Sequence, residues 1–461
     1  MANRVSDIVV LTPSDDLQDG STQPMRWLGA VEGYYGEPLS HEARAALIEW
    51  LGGEGYSCYA YAPKHDPFHR DRWRDPYPAD SLRQFAELVQ VGATSGATFA
   101  LGLSPGLDWR EGDEAALLRK LASFRELGAS VLAVAFDDVA PGGAELGAAH
   151  GRAVAAAFEG IADPDVRWFS CPTDYATPVV TPYLRAFADE LPDEVAIMWT
   201  GPSVVSPHVS ADAVRAFAGD LGRKPLFAEN YPVNDGGMEG VLHLGPYPER
   251  APELVEETVG VFCNFMRHPL ASRIGLAAAA RFWQDPHGDR HEAWRAVLAA
   301  TPGIEPLALA SSMWIDHPEP APELVEWTES AIATAGVDTR LRDHLQAGCR
   351  NGLDPALAAE IEPWLEQWDR QSHAMQWALQ LLPAGDRRPA GGAFAVQALW
   401  RRARERSEEV FGVRWAGYPV TTWDGETYAL PEGVMLGENL TDRLCRHALG
   451  LPEAQGPSTR G

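Results

Sequence analysis

Between residues 26 and 280 the chain repeats one unit eight times: a short apolar run, then a stretch with apolar residues at three- and four-residue spacing. The runs are RWLGAVEG, YSCYAYAP, TFALGLSP, SVLAVAFDD, VRWFSCP, VAIMWTGP, PLFAENYP and SRIGLAAAA. Most are apolar at odd and even positions alike and bounded by Gly or Pro, the pattern of a parallel strand covered on both faces. Intervening segments such as EARAALIEWLG, SLRQFAELVQVGAT and EAALLRKLASFRELG suit amphipathic helices. Eight such alternations over roughly 260 residues predict an α/β fold, a (β/α)8 TIM barrel.

After residue 300 the strand rhythm stops. PELVEWTESAIATAG, ALAAEIEPWLEQWDRQSHAMQWALQLL and GAFAVQALWRRARERSEEVF read as helices, punctuated by Pro and Gly as in LLPAGDRRPAGG. The expected organisation is a flexible tail over 1–24, the barrel over 25–300, a mostly α-helical C-terminal domain over 301–450 and a disordered tail over 451–461. A helical region of this size suits dimerisation or peptide binding, so a homodimer is one expectation.

The chain's 461 residues carry 65 acidic against 38 basic side chains, a net charge of -27. That field repels polyanions, which argues against nucleic acid and anionic membrane surfaces as partners. Residues 1–24 lack the cationic start and long apolar core of a signal peptide, and no stretch is long and apolar enough to span a bilayer. Five cysteines, Cys58, Cys171, Cys263, Cys349 and Cys445, are scattered and odd in number, which points to reduced thiols and a cytoplasmic setting. Three of them end or lie within apolar runs, as small buried hydrophobes do.

The fourth run ends at two adjacent carboxylates, Asp137 and Asp138. Successive side chains on a strand point to opposite faces, so the pair can share one site only where the ladder ends and the chain turns. Other runs also end in polar residues: Gly33 with Tyr34 and Tyr35, Lys64 with Asp66, Ser104 with Asp108, Thr173 with Tyr175, Thr200 with Gly201, and Asn230. In a barrel the carboxyl ends of all strands open on one mouth, where active sites are built. Two aspartates there, with a lysine, an asparagine and tyrosines, form a candidate catalytic constellation. The competing reading is structural, with one Asp capping the helix in GAELGAAHGRAVAAAF and the other solvated.

GAVEGYYGEP, YAYAPKHDPFHRDRWRDPYP, LSPGLDW, FDD, CPTDY, WTGP, ENYPVND and LGPY follow one another across residues 29–247. Together they resemble glycoside hydrolase family 84, whose members include protein O-GlcNAcases and bacterial β-N-acetylglucosaminidases. The resemblance implies retaining hydrolysis of terminal β-linked N-acetylglucosamine, carried on a glycoprotein or other glycoside, with no cofactor and no metal. In such enzymes the substrate's own 2-acetamido oxygen attacks the anomeric carbon and forms an oxazoline, an exception to the usual two-carboxylate scheme. By the same resemblance Asp137 orients and polarises the acetamide, while Asp138 is the general acid/base. Gly33 and Lys64 match residues that hold sugar hydroxyls; Asn230, Asp235 and Asn264 match polar contacts on the O4, O6 and O3 side; Tyr175 matches the tyrosine that closes over the acetamide.

One position departs from the family pattern. Two residues before the matching asparagine the family commonly has a tryptophan, and here stands Ala228, between Phe227 and Glu229. Either another aromatic takes its place or the pocket is wider. Two other functional classes stay open at this point. The Asp pair with Asp235 could bind Mg2+ or Ca2+ in a metal-dependent hydrolase, or the barrel could be a catalytically silent carbohydrate-binding protein.

Overall fold

The computed structural model describes residues 26–110, 112–314, 320–404, 419–421, 427–429 and 440–451. Eight parallel strands close into a barrel: β1 (Trp27–Glu32), β2 (Cys58–Tyr61), β3 (Thr98–Leu103), β4 (Val131–Ala135), β5 (Arg167–Cys171), β6 (Val195–Trp199), β7 (Leu226–Glu229) and β8 (Gly260–Asn264). Closure is made where β1 pairs with β8 from Trp27 opposite Gly260 to Val31 opposite Asn264. Among the helices between strands are α1 (His41–Gly53), α2 (Ala79–Ser95), α3 (Glu114–Glu126) and α4 (Ala144–Ile161). Their starts follow local chemistry: Ser40 caps α1 by accepting from the Ala43 amide at 3.1 Å.

The apolar residues sort into two bodies by the strand period of two. Ala30, Tyr59, Leu101, Leu132 and Val134 face outward and join the large core beneath the helices. Trp27, Ala60, Ala100, Ala133, Phe169 and Phe262 face inward and form a separate cluster inside the barrel.

The eighth strand is not SRIGLAAAA. That segment lies within the helix Pro269–Gln284, and β8 is the earlier, shorter GVFCN. Ala is the best helix former, and residues 274–280 are buried throughout. A helix covered on several sides loses the polar stripe that would mark its period. Part of the cover comes from the C-terminal region. Glu360 accepts from the amides of Leu270 and Ala271 at 3.1 and 2.8 Å, satisfying the first turn of that helix.

Past residue 284 the described chain is mainly helical. ALAAEIEPWLEQWDRQSHAMQWALQLL, read as one helix, is two: Pro355–Glu360 and Glu362–Leu381 meet at Ile361, because Pro363 fits only the first turn of a new helix. The helix begun in GAFAVQALW runs over Ala390–Arg404. A small antiparallel pair, Pro419–Thr421 with Thr427–Ala429, accompanies the helices of this mostly helical region. The tail expected over 1–24, and all but the first residue of that expected over 451–461, lie outside the described residues. All five cysteines are free and buried, and among the described residues no helix is long and apolar enough to cross a membrane.

Behind the mouth, outward-facing carboxylates are held by buried arginines. Glu32, at the end of β1, receives a bidentate pair from Arg44 at 2.7 and 2.9 Å, the Tyr59 hydroxyl at 2.6 Å and the Leu39 amide at 2.9 Å. Glu229, at the end of β7, is held in the same way by Arg250 at 2.8 and 2.9 Å and by the Tyr247 hydroxyl at 3.1 Å. Removing one partner of such a pair leaves an uncompensated buried charge. Arg44→Ala should therefore lower unfolding free energy by about 3–5 kcal/mol in urea titration. The double variant Glu32→Gln/Arg44→Met should recover part of that loss, and no recovery would mean that packing rather than charge dominates the site.

Candidate active site

Continuing the inward positions of the strands past their ends gives one layer of side chains: Gly33, Lys64, Ser104, Asp137, Thr173, Thr200, Asn230 and Asn264. Most line a cavity of about 1000 Å³ that opens at the mouth, together with Asp138, Tyr35, Tyr175 and Asp235. All eight residues singled out from sequence, Asp137, Asp138, Gly33, Lys64, Tyr175, Asn230, Asp235 and Asn264, are thus brought to one cavity.

The aspartate pair faces one way because the backbone turns between its members. Asp138 has φ of 54°, the left-handed region that few residues other than Gly, Asn and Asp enter readily. Its carbonyl oxygen accepts from Arg70 Nη2 at 3.1 Å, which holds the turn. Both carboxylates consequently reach the same ammonium: Lys64 Nζ donates to Asp137 Oδ2 and lies 3.4 Å from Asp138 Oδ2. Helix capping by either aspartate is not seen, since the following helix α4 starts after Gly143 without a side-chain cap.

The two carboxyls sit in different surroundings. Asp137 keeps 17% of its side-chain surface exposed, and Ser104 Oγ and Arg70 Nη1 lie 3.4 and 4.0 Å from its Oδ1. Burial pushes its pKa up, but Lys64, with Arg70, outweighs burial and holds the carboxyl below the usual aspartate range. Asp138 lies nearer the lip, accepting from the Tyr35 hydroxyl at 2.9 Å and the Tyr175 hydroxyl at 2.7 Å. Burial and the Asp138 charge push Tyr35 up to about 12 and Tyr175 well above the usual phenol range, so both remain donors at neutral pH. His69 beneath them is lowered to about 4 by burial. It is neutral, and its Nδ1 donates to the Gly102 carbonyl at 3.0 Å.

Opposite the pair, one hydrogen-bonded line crosses the barrel's closing seam. The Gly33 amide donates to Asn264 Oδ1 at 3.2 Å, Asn264 Nδ2 to Asn230 Oδ1 at 3.1 Å, and Asn230 Nδ2 to the Val204 carbonyl at 2.8 Å. Each of the two asparagine Nδ2 atoms carries a second hydrogen for a ligand. Asp235 Oδ2 accepts from the Tyr35 amide at 2.7 Å, and burial raises its pKa. Where a divalent cation would need to sit, the Lys64 ammonium already bridges the two aspartates; among the described residues no cluster of three or more His, Cys, Asp or Glu is arranged to hold a metal. Sequence reading left out Arg70, Tyr35 and Ser104 as site residues. Tyr35 and Ser104 were visible as strand-end polar groups, whereas an arginine within HRDRWRD gives no sign of burial.

A family model described as beta-N-acetylglucosaminidase matches residues 28–311. The protein O-GlcNAcases of Rattus norvegicus and Mus musculus are each 30% identical to this chain over 253 residues, 51% of this chain and 27% of theirs. The chain therefore spans about a quarter of the length of those relatives. Among solved structures, a mutant of Thermobaculum terrenum O-GlcNAc hydrolase aligns with TM-score 0.72 and 24% identity over 92% of this chain and 94% of that one. CpGH84D aligns with TM-score 0.74 and 22% identity over 92% and 74%. These two share the fold, and the likeness extends past the barrel.

The Lys64–Asp137 pair predicts a pH dependence of definite sign. Asp137 titrates below the unfolded aspartate value of about 3.9, so its ionisation contributes stability that is complete above roughly pH 4 and is lost as pH falls through the lower folded value. In Lys64→Met the largest opposing charge is gone, burial dominates, and the Asp137 carboxyl should titrate at higher pH, read by carboxyl 13C NMR. An unchanged curve would mean that Arg70 alone holds the charge.

Proposed function

The chain belongs to the beta-N-acetylglucosaminidase family, glycoside hydrolase family 84, and from that premise we propose that it hydrolyses terminal β-linked N-acetylglucosamine with the substrate's acetamide as nucleophile. Asp137 accepts the acetamide N–H and steers its oxygen to the anomeric carbon. The C1–oxygen bond to the acyl group forms as the bond to the leaving group breaks, and Asp138 gives its proton to the departing oxygen. Water then adds at C1, Asp138 takes a proton from it, and the oxazoline opens to the free sugar with retained configuration.

The observation that carries this division of labour is the unequal environment of two neighbouring carboxyls in one cavity. Asp137 is ionised by Lys64 despite burial, which suits a group that must face a positive oxazolinium. Asp138, turned to the lip, is reached only by neutral hydroxyls and the far side of Lys64, which suits a group that exchanges a proton with solvent-side oxygens. Gly33, Lys64, Asn230, Asp235 and Asn264 hold the sugar's hydroxyls, and Tyr175 closes over the acetamide. The five buried free cysteines support a cytoplasmic setting.

An aryl β-N-acetylglucosaminide assay separates this reading from a silent sugar-binding barrel, because binding without release of the aryl group would leave only the latter. Asp138→Asn should reduce hydrolysis of substrates with poor leaving groups by about 10²–10⁴, and of activated aryl glycosides far less. Equal losses on both would remove Asp138 from the acid role. Successive fluorination of the acetamide should slow the wild type progressively, and Asp137→Ala should be less sensitive, since participation is already impaired. A covalent glycosyl ester on either aspartate, found by mass spectrometry, would replace the scheme with a protein nucleophile.

A further inference from the structure

Asp235 lines the cavity without ending a strand. It opens the stretch DGGMEG, three glycines in six residues, and glycine gives up more conformational freedom on folding than any other residue. The loop closes partly on itself. The Met238 amide donates to the Asp235 carbonyl at 3.0 Å, the Val241 amide to the Met238 carbonyl at 2.9 Å, and Asn234 Nδ2 to the Val241 carbonyl at 2.9 Å. Bonds of this kind shape a loop without fixing where it sits.

A tie comes from beyond the barrel. Trp364, buried in the helix Glu362–Leu381, donates its indole Nε1 hydrogen to the Gly240 carbonyl at 3.1 Å. A buried indole N–H takes a partner as a rule, and here the partner is the loop. The same ring meets the His268 ring with centroids 4.9 Å apart and planes at 83°. Gly240 follows Asp235 by five residues and His268 follows Asn264 by four, so one side chain is packed between the two segments that carry these groups. Two neighbouring contacts reinforce the arrangement. Across the break at Ile361, Glu360 caps the helix that follows His268, and Ser311 Oγ donates to the Leu242 carbonyl at 2.6 Å, just past the glycine-rich stretch.

We propose that Trp364 is a positioning residue for the reaction, holding the Asp235 loop against the end of β8 so that the Asp235 carboxylate and the Asn264 amide reach one sugar ring together. The inference rests on the assignment of Asp235 and Asn264 to the sugar's hydroxyls above. Trp364 stands outside the cavity and acts through the backbone. Without its bond Gly240 is released, and positions 236, 237 and 240 have no side chains with which to hold the loop. A displacement of about 1 Å in a positioning group can cost about 100-fold in rate. By this inference the helical region past the barrel is part of the scaffold of the sugar site, and the break at Ile361 is what turns Glu360 and Trp364 to the barrel within a few residues of each other.

The test is a double-mutant cycle with Asp235. Trp364→Phe keeps an aromatic ring beside His268 and removes the indole N–H. With 4-nitrophenyl N-acetyl-β-glucosaminide it should lower kcat/KM by about tenfold, and in the Asp235→Ala background by less than about twofold, because the group it positions is gone. The wild type's preference for this sugar over its 4-deoxy and 6-deoxy analogues should also shrink in Trp364→Phe, whereas a variant that had merely lost folded enzyme would fall equally on all three. Trp364→Met runs the same cycle if the phenylalanine variant does not fold. A loss that persists undiminished in Asp235→Ala, equal losses on the three sugars, or full kcat/KM in Trp364→Phe overturns the positioning role and leaves the reading of the site standing. A wild type that hydrolyses none of the three overturns that reading, and the role of Trp364 with it.

Discussion

A strand in a closed barrel presents one side chain to the interior every second residue, and what the mouth of this molecule holds is decided by that period. Following the inward positions upward passes from Ala60 and Ala62 to Lys64, from Ala133 and Ala135 to Asp137, and from Leu226 and Ala228 to Asn230. Asp138, next in sequence to the inward Asp137, reaches the same side because the backbone itself changes hand there. The polar layer at the top and the small-residue layers beneath are parts of one alternating pattern.

The same period sets what stands behind the mouth. Glu32 precedes Gly33 and Glu229 precedes Asn230, so each points the opposite way, into the helix-covered core. A carboxylate there is costly unless fully bonded, and Arg44 and Arg250 answer it with two parallel hydrogen bonds each. These outward ion pairs tie the ends of β1 and β7 to neighbouring segments of the shell. The Gly33–Asn264–Asn230 line across the seam is thereby held from behind as well as along its own hydrogen bonds.

Seven of the strands could be read from sequence because each is a short apolar run stopped by Gly, Pro or a charged residue. The eighth could not, because Val261, Phe262 and Cys263 are too few to stand out beside nine nearly apolar residues of a buried helix. The break at Ile361 was legible in principle from Pro363 and was missed because the apolar spacing continues through it. The eight candidate residues share one cavity, yet only some were reached from strand ends: Asp235 and Asn264 entered through family likeness, since a loop aspartate and the end of an unrecognised strand carry no local sign. Arg70 was invisible because its role depends on burial against Asp137 and Asp138, past the end of β4, which no pattern of neighbours encodes.

The left-handed backbone at Asp138 also limits what can follow in descent. Of residues with side chains, aspartate and asparagine enter that region most readily, so the position has few neighbours in sequence space that keep the turn. Exchange at this one place is therefore restricted by the turn to aspartate, asparagine and glycine, whatever the side chain does in the cavity.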